Sequence, residues 1–193
     1  DWSAEAMEST EPLLRRWHRC GTEIHFVVND LLPVTMPDAF HPFARNLFED
    51  WLRCASSLAD GLHCISAATA GELSHWLDDN DVPYQFGQRP AVDHFLLGAE
   101  VAVNDAPRPL PTPLAEAAAQ RPTLLMVGTL EPRKGHVQAL DAIEHLWTNG
   151  HELNFVIVGR VGWMVEALVR RLEKHDETGR RLFWFQDADD AQL

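Results

Sequence analysis

Three short apolar runs, TLLMVG (123–128), NFVIVG (154–159) and RLFWF (181–185), alternate with stretches whose apolar residues recur at helical spacing. Strands with apolar side chains on both faces, separated by helices, belong to a parallel sheet covered on both sides. That alternation restricts the chain to the α/β class. It extends upstream: IHFVV (24–28) reads as a strand ending at Asn29-Asp30, and 43–59 as a helix with Phe43, Leu47, Trp51 and Leu58 as core contacts. GLHCIS (61–66) reads as a second strand, with Ser66 placed to cap the helix AATAGELSHWLDDN (67–80), and the apolar run VDHFLLGAEV (92–101) completes a second strand-helix-strand unit.

Between 104 and 121 the composition changes. Pro107, Pro109, Pro111 and Pro113 fix φ and remove backbone donors, so this stretch reads as a semi-stiff interdomain linker carrying at most one short helix. After it come a helix at 136–147 stopped by Asn149-Gly150 and another at 163–175. Residues 1–103 then supply the back half of one doubly wound domain and 122–193 the first half of another. With Asp1 at the start and an abrupt QDADDAQL at the end, the expectation is a fragment of something longer.

Composition narrows the partners. Against 29 Asp and Glu stand 16 Lys and Arg, a formal charge of -13, and nucleic-acid backbones need a basic face. No nucleic-acid partner is expected, and any anion must be held locally. Cys20, Cys54 and Cys64 are odd in number and widely spaced, which fits buried reduced thiols in a cytoplasmic protein. The histidines show no paired ligand spacing such as HExxH, so no metal site is expected. Trp51, Trp76, Trp147 and Trp163 fall at positions where core or interface packing is the default.

The stretch GTLEPRKGH (128–136) breaks the acidic trend where a helix is about to begin. In an open parallel sheet ligands bind beyond the carboxyl ends of the strands, where the first N–H groups of the next helix are unpaired. Gly128 allows close approach, Pro132 stiffens the loop, Gly135 relieves crowding, and Arg133 or Lys134 adds charge where the helix dipole already favours an anion. Two readings stand here: a diphosphate cradle and a solvated loop. The loop is neither a Walker P-loop nor the GxGxxG of a dinucleotide fold.

LLMVGTLEPRKGHVQALDAIEHLW, FVIVGRVGWMVEAL and RLFWFQDADDAQL resemble the start of the nucleotide-sugar domain of GT-B glycosyltransferases of retaining family 4, the group 1 glycosyltransferases. VVNDLLPVTMPDAFHPFARNLFEDWL, LHCISAATAGELSHWL and FLLGAEV resemble the back half of the acceptor domain in a bacterial branch that includes mannosyltransferases of surface polysaccharides. The resemblance implies a GT-B fold of two Rossmann-like domains, both incomplete here. It implies a donor diphosphate held by Gly128, Thr129, Arg133, Lys134 and Gly135, with Lys134 on the family's usual lysine. Many members carry Arg where Thr129 stands. Ala188 and Asp190 fall where the family approaches the base and ribose, and Asp189 reads equally as a helix cap. On the acceptor side Asn29 and Asp30 replace the family's histidine, and Asp30 reads as well as a turn cap.

The implied activity is hexose transfer, mannose in first place, from GDP-mannose or a UDP-hexose to a glycan or lipid-linked acceptor, with no cofactor. It implies a cytoplasmic place, with peripheral association at the inner membrane left open. Glu144 and Glu152 mimic the family's two-glutamate motif in the wrong context. The competing readings are a non-enzymatic or inactive Rossmann-like fragment and an NAD-dependent oxidoreductase or epimerase.

Overall fold

The computed structural model describes residues 4–98 and 109–187, and the chain divides into two compact units, Asp1–Val101 and Ala102–Leu193. Each has its own parallel three-stranded sheet, in line with two partial Rossmann-like domains.

The first unit contains β1 (His25–Val28), β2 (Gly61–Cys64) and β3 (Ala91–His94), hydrogen-bonded in that order and all parallel. Alternation along the strands turns Phe26, Val28, Leu62, Cys64 and Val92 to one face. There they meet α1 (Ala4–Arg19), α3 (Pro42–Ser57) and α4 (Ala67–Asp79) through Leu14, Leu52, Ala55, Leu73 and Trp76. A one-turn α2 (Leu32–Thr35) precedes α3. Ser66 caps α4 as expected, accepting from the Thr69 N–H at 3.1 Å.

The other face of this sheet departs from the two-sided cover that its apolar runs suggest. It carries His25, Val27, His63 and Asp93 in register, and among the described residues no core cluster forms over it; Val27 is 54% exposed. Three further expectations are corrected in this unit. Trp51 and Leu58 are buried as expected, but Phe43 is 73% exposed, because the buried stripe of α3 is centred on Phe48, Leu52 and Ala55. Of the cysteines only Cys64 is buried, with its thiol pushed up by burial; Cys54 is half-buried and Cys20 exposed. The expected third strand stops at His94, and Phe95, Leu96 and Leu97 follow it exposed.

In the second unit β4 (Thr123–Val127), β5 (Asn154–Val158) and β6 (Leu182–Phe185) pair in that order, again parallel. One face packs Phe155, Ile157 and Leu182 against α6 (His136–Thr148) and α7 (Glu166–Lys174), through Leu140, Ile143, Trp147, Leu168 and Leu172. α6 ends as its NG sequence requires: Gly150 takes φ 83°, and the His151 N–H reaches back to the Leu146 carbonyl at 3.0 Å. α7 begins at Glu166 rather than 163, and Trp163, which precedes it, is 36% exposed and lies outside the core clusters.

Part of the stretch read as a linker is ordered. α5 (Thr112–Gln120) packs Leu114 and Ala117 against Val156 and Phe183 on the second face of this sheet. Pro113 lies in its first turn, where no N–H is needed, and the alanines that follow favour helix. The buried Asn154 side chain donates to the Ala117 carbonyl at 2.9 Å, tying β5 to α5. Residues 104–108 of the expected linker lie outside the described residues.

Because the two units have separate cores, a cavity in one should leave the other intact. Leu62→Ala is expected to cost the first unit about 2–5 kcal/mol. Amide hydrogen exchange should then show lost protection in β1–β3 and unchanged protection in β4–β6.

Candidate functional site: the loop between β4 and α6

The GTLEPRKGH stretch leaves β4 at its carboxyl end and enters α6, and two glycines outside it set its position. A Cβ on Gly159 would lie 1.9 Å from the Gly128 carbonyl oxygen, and one on Gly162 would lie 2.5 Å from the Leu130 carbonyl oxygen. Only glycine permits the loops after β4 and β5 to run this close. They are laced by backbone bonds: Gly128 N–H to Val158 O, Leu130 N–H to Arg160 O and Gly162 N–H to Leu130 O, each 2.9 Å. The Trp184 indole donates to the Gly159 carbonyl at 2.9 Å and holds the second loop from β6.

Within the loop the two cations have different fates. Arg133 grips Glu131 from both ends of its fork, Nη2 to Oε1 at 2.9 Å and Nε to Oε2 at 3.2 Å. Glu131 is only 4% exposed, so this carboxylate is a buried partner that holds Arg133 to the loop. Lys134 is exposed and has no hydrogen-bond or ion-pair partner among the described residues. Its Cε lies 4.0 Å from the place a Cβ on Gly128 would occupy, so the ammonium stem folds across Gly128. Gly135 takes φ 75° and turns the chain into α6, whose first intrahelical bond is Ala139 N–H to Gly135 O at 2.9 Å. The N–H groups of His136, Val137 and Gln138 have no acceptor within the helix and carry its partial positive charge.

Gly128, Thr129, Lys134 and Gly135 are thus brought together beside the α6 N-terminus. Thr129 is exposed and Gly128 half-buried. Gly128 cannot offer its N–H to a ligand, since β5 uses it. The sequence reading missed Gly159 and Gly162, whose roles lie in packing across loops, and Glu131, whose acid lies two residues from Arg133 behind a proline. It also missed Arg160, an exposed cation on the adjoining loop whose side chain has no partner among the described residues.

His136 sits under the loop at 2% exposure, with neither ring nitrogen in a well-formed hydrogen bond. Burial pushes its pKa below the ordinary value; Glu131 opposes that, Lys134 adds to it, and the nearby Gly128 carbonyl favours the protonated ring.

On the acceptor side Asp30 Oδ1 accepts the Leu32 N–H at 3.1 Å, a turn cap before α2, while Asn29 is exposed. Ala188, Asp189 and Asp190 lie outside the described residues. Glu144 and Glu152 are taken up by structure. Glu144 bonds Arg171 at 2.6 Å and His175 at 3.0 Å across α6 and α7, and Glu152 pairs with Arg121 at 2.9 Å. A groove of about 730 Å³ on the α5 side is lined by Leu110, Leu114, Leu125, Val156 and Phe185. None of the loop residues lines it, and among the described residues its one charged wall is the Asp187 carboxylate, which repels an anion. Among the described residues no group of three or more His, Cys, Asp or Glu side chains could hold a metal ion, and no helix is long and apolar enough to cross a membrane.

Two outcomes follow from this geometry. Gly159→Ala should force the loops apart and lower the melting temperature by several degrees, about 1–3 kcal/mol for overpacking at a site that cannot give. His136 favours its neutral form when folded, so its contribution to stability is complete above the ordinary histidine pKa of 6.5 and is lost as pH falls below that value toward the lowered one. Urea unfolding of the second unit should therefore weaken from pH 7 to pH 5, and His136→Leu should flatten that dependence.

Comparison with known proteins gives the loop a context. Residues 114–193 match the family model described as glycosyl transferases group 1. Three Escherichia coli proteins named serotype-specific mannosyltransferase WbdA are 37%, 37% and 36% identical to the chain over 171 residues. The match covers 87% of this chain but 21%, 20% and 21% of those proteins, so the chain spans about a fifth of the length of the curated relatives it matches. Over residues 114–193, which hold β4 to β6 and the loop described above, the chain matches the glycosyl transferases of group 1.

Proposed function

We propose that the loop from Gly128 to Gly135 grips the diphosphate of a nucleotide sugar, within a retaining glycosyltransferase that moves a hexose to a glycan or lipid-linked acceptor. Mannose from GDP-mannose is the favoured donor, with a UDP-hexose next; what supports mannose is the name of the relatives. Surface-polysaccharide synthesis in the cytoplasm, at the membrane face when the acceptor is lipid-linked, is part of the same proposal. No cofactor enters this scheme.

The observation that carries the reading is Lys134, a cation with no partner among the described residues, folded over Gly128 beside the first N–H groups of α6, which have no acceptor within the helix. When the bond between the anomeric carbon and the phosphate oxygen breaks, its electron pair leaves on the diphosphate. The helix N-terminus meets the growing charge without reorganising, and the Lys134 ammonium adds a full charge beside it. Thr129 is exposed where a hydroxyl could add a hydrogen bond, and Arg160 supplies a second cation from the next loop. Arg133 is assigned to holding the loop's shape through Glu131, with any contact to phosphate secondary. Asn29 and Asp30 are assigned to the acceptor side, and Asn29 is the freer of the two, because Asp30 already caps a turn. Ala188 and Asp190 are kept for the base and ribose.

Calorimetric titration with GDP and UDP tests this. Lys134→Ala should weaken diphosphate binding about tenfold or more, the worth of one charge-assisted contact, with an unchanged circular dichroism spectrum. Arg133→Ala should chiefly lower stability, by about 1–3 kcal/mol, since it strands a buried carboxylate. Unchanged nucleotide affinity in Lys134→Ala would remove the cradle from consideration.

A further inference from the structure

The face of the first sheet over which no core cluster forms among the described residues holds a pair of side chains that the donor chemistry does not use. His25 on β1 and His63 on β2 lie 38 residues apart, but the parallel register sets His25 opposite Gly61 and Val27 opposite His63, so both rings rise from the same face. His25 Nδ1 is 2.9 Å from His63 Nε2, and the two ring centroids are 5.0 Å apart. Gly61 makes this convergence possible. A Cβ there would lie 2.4 Å from His25 Nδ1 and 3.4 Å from His63 Nε2, filling the space the nitrogens share.

The far side of His25 is also arranged. Its Nε2 lies 3.3 Å from Glu23 Oε2, so the carboxylate accepts the Nε2 proton and leaves Nδ1 as a bare lone pair. A carboxylate behind a histidine in this way fixes the tautomer and raises the ring's basicity as a metal ligand. Asp93, level with His63 on β3 and exposed, adds negative charge to the same face.

We propose that this face binds a divalent transition metal through His25 Nδ1 and His63 Nε2, with Glu23 orienting His25. Two imidazole nitrogens at the usual bond length of about 2.05 Å and a right-angle bite stand about 2.9 Å apart, whereas a tetrahedral bite needs about 3.4 Å. The metal-free pair, joined by a hydrogen bond, already stands at the right-angle separation, so a tetrahedral bite would have to part the rings, and Cu²⁺ and Ni²⁺ rank high for imidazole ligands. His63 must hand its Nε2 proton to its own Nδ1, so binding needs a change of tautomer and no net loss of a proton. Water fills the remaining positions, in keeping with the lack of any three-ligand group among the described residues.

Titration calorimetry of the whole chain, free of any histidine tag, with Ni²⁺ alone tests the site. The wild type should show one site per chain. His25→Gln and His63→Gln should each weaken it at least about tenfold, and Glu23→Gln by a smaller factor, with circular dichroism unchanged. His75→Gln, an exposed histidine elsewhere, should bind as the wild type does. Absence of the site in the wild type, or wild-type affinity in either His25→Gln or His63→Gln, overturns the proposal.

Discussion

The Gly128 carbonyl oxygen lies where a side chain at residue 159 would begin. That close approach sets the spacing of the loops after β4 and β5, and the rest of the candidate site depends on it. With Gly159 and Gly162 in place, backbone bonds lace the loops together and the Trp184 indole fastens them to β6. The path into α6 is then fixed before any charged side chain is considered. A parallel sheet with a rigid loop at its carboxyl end is a general ligand platform; the side chains on this one give it its chemistry.

Charge on the loop is divided. Glu131, buried, neutralises Arg133 and anchors it, so the loop's net local charge comes from Lys134 and the α6 dipole. An acidic chain can hold an anion in this way because the field that counts is within a few ångströms, and distant surface carboxylates are screened by solvent and salt. His136 adds a buried, unpartnered imidazole beneath the loop, where protonation is opposed chiefly by the loss of hydration.

Much of this was legible in the sequence. The order of strands and helices followed from periodicity, Ser66 and Asn149-Gly150 marked a helix start and a helix stop, and Lys134 stood out as a cation before a helix. Other features depended on contacts that spacing does not encode. Phe43 and Phe48 both suit a helical stripe, and only packing against β1–β3 selects Phe48. The one short helix allowed in the Pro-rich stretch is α5, but its packing on the second sheet was not legible, and Pro113 is accommodated because it lies in the first turn. The Arg133 pair with Glu131 needed the turn geometry around Pro132, and Gly159 looked like any glycine at a strand end. The His25 and His63 pair lies beyond sequence spacing altogether, since strand register alone brings the rings together. The resemblance to group 1 glycosyltransferases was likewise legible in the motifs, and residues 114–193 match that family, although the chain spans about a fifth of its WbdA relatives.

The central claim is that the β4–α6 loop, and no other surface, holds the donor's diphosphate. The most direct measurement is a titration of the ¹⁵N-labelled chain with GDP, followed by its amide spectrum. The account predicts that the amides of Thr129, Lys134, His136, Val137 and Gln138 shift together and saturate on one binding curve. Shifts confined to the apolar groove around Leu114, Leu125 and Phe185, or saturable binding that leaves the loop amides in place, would contradict it.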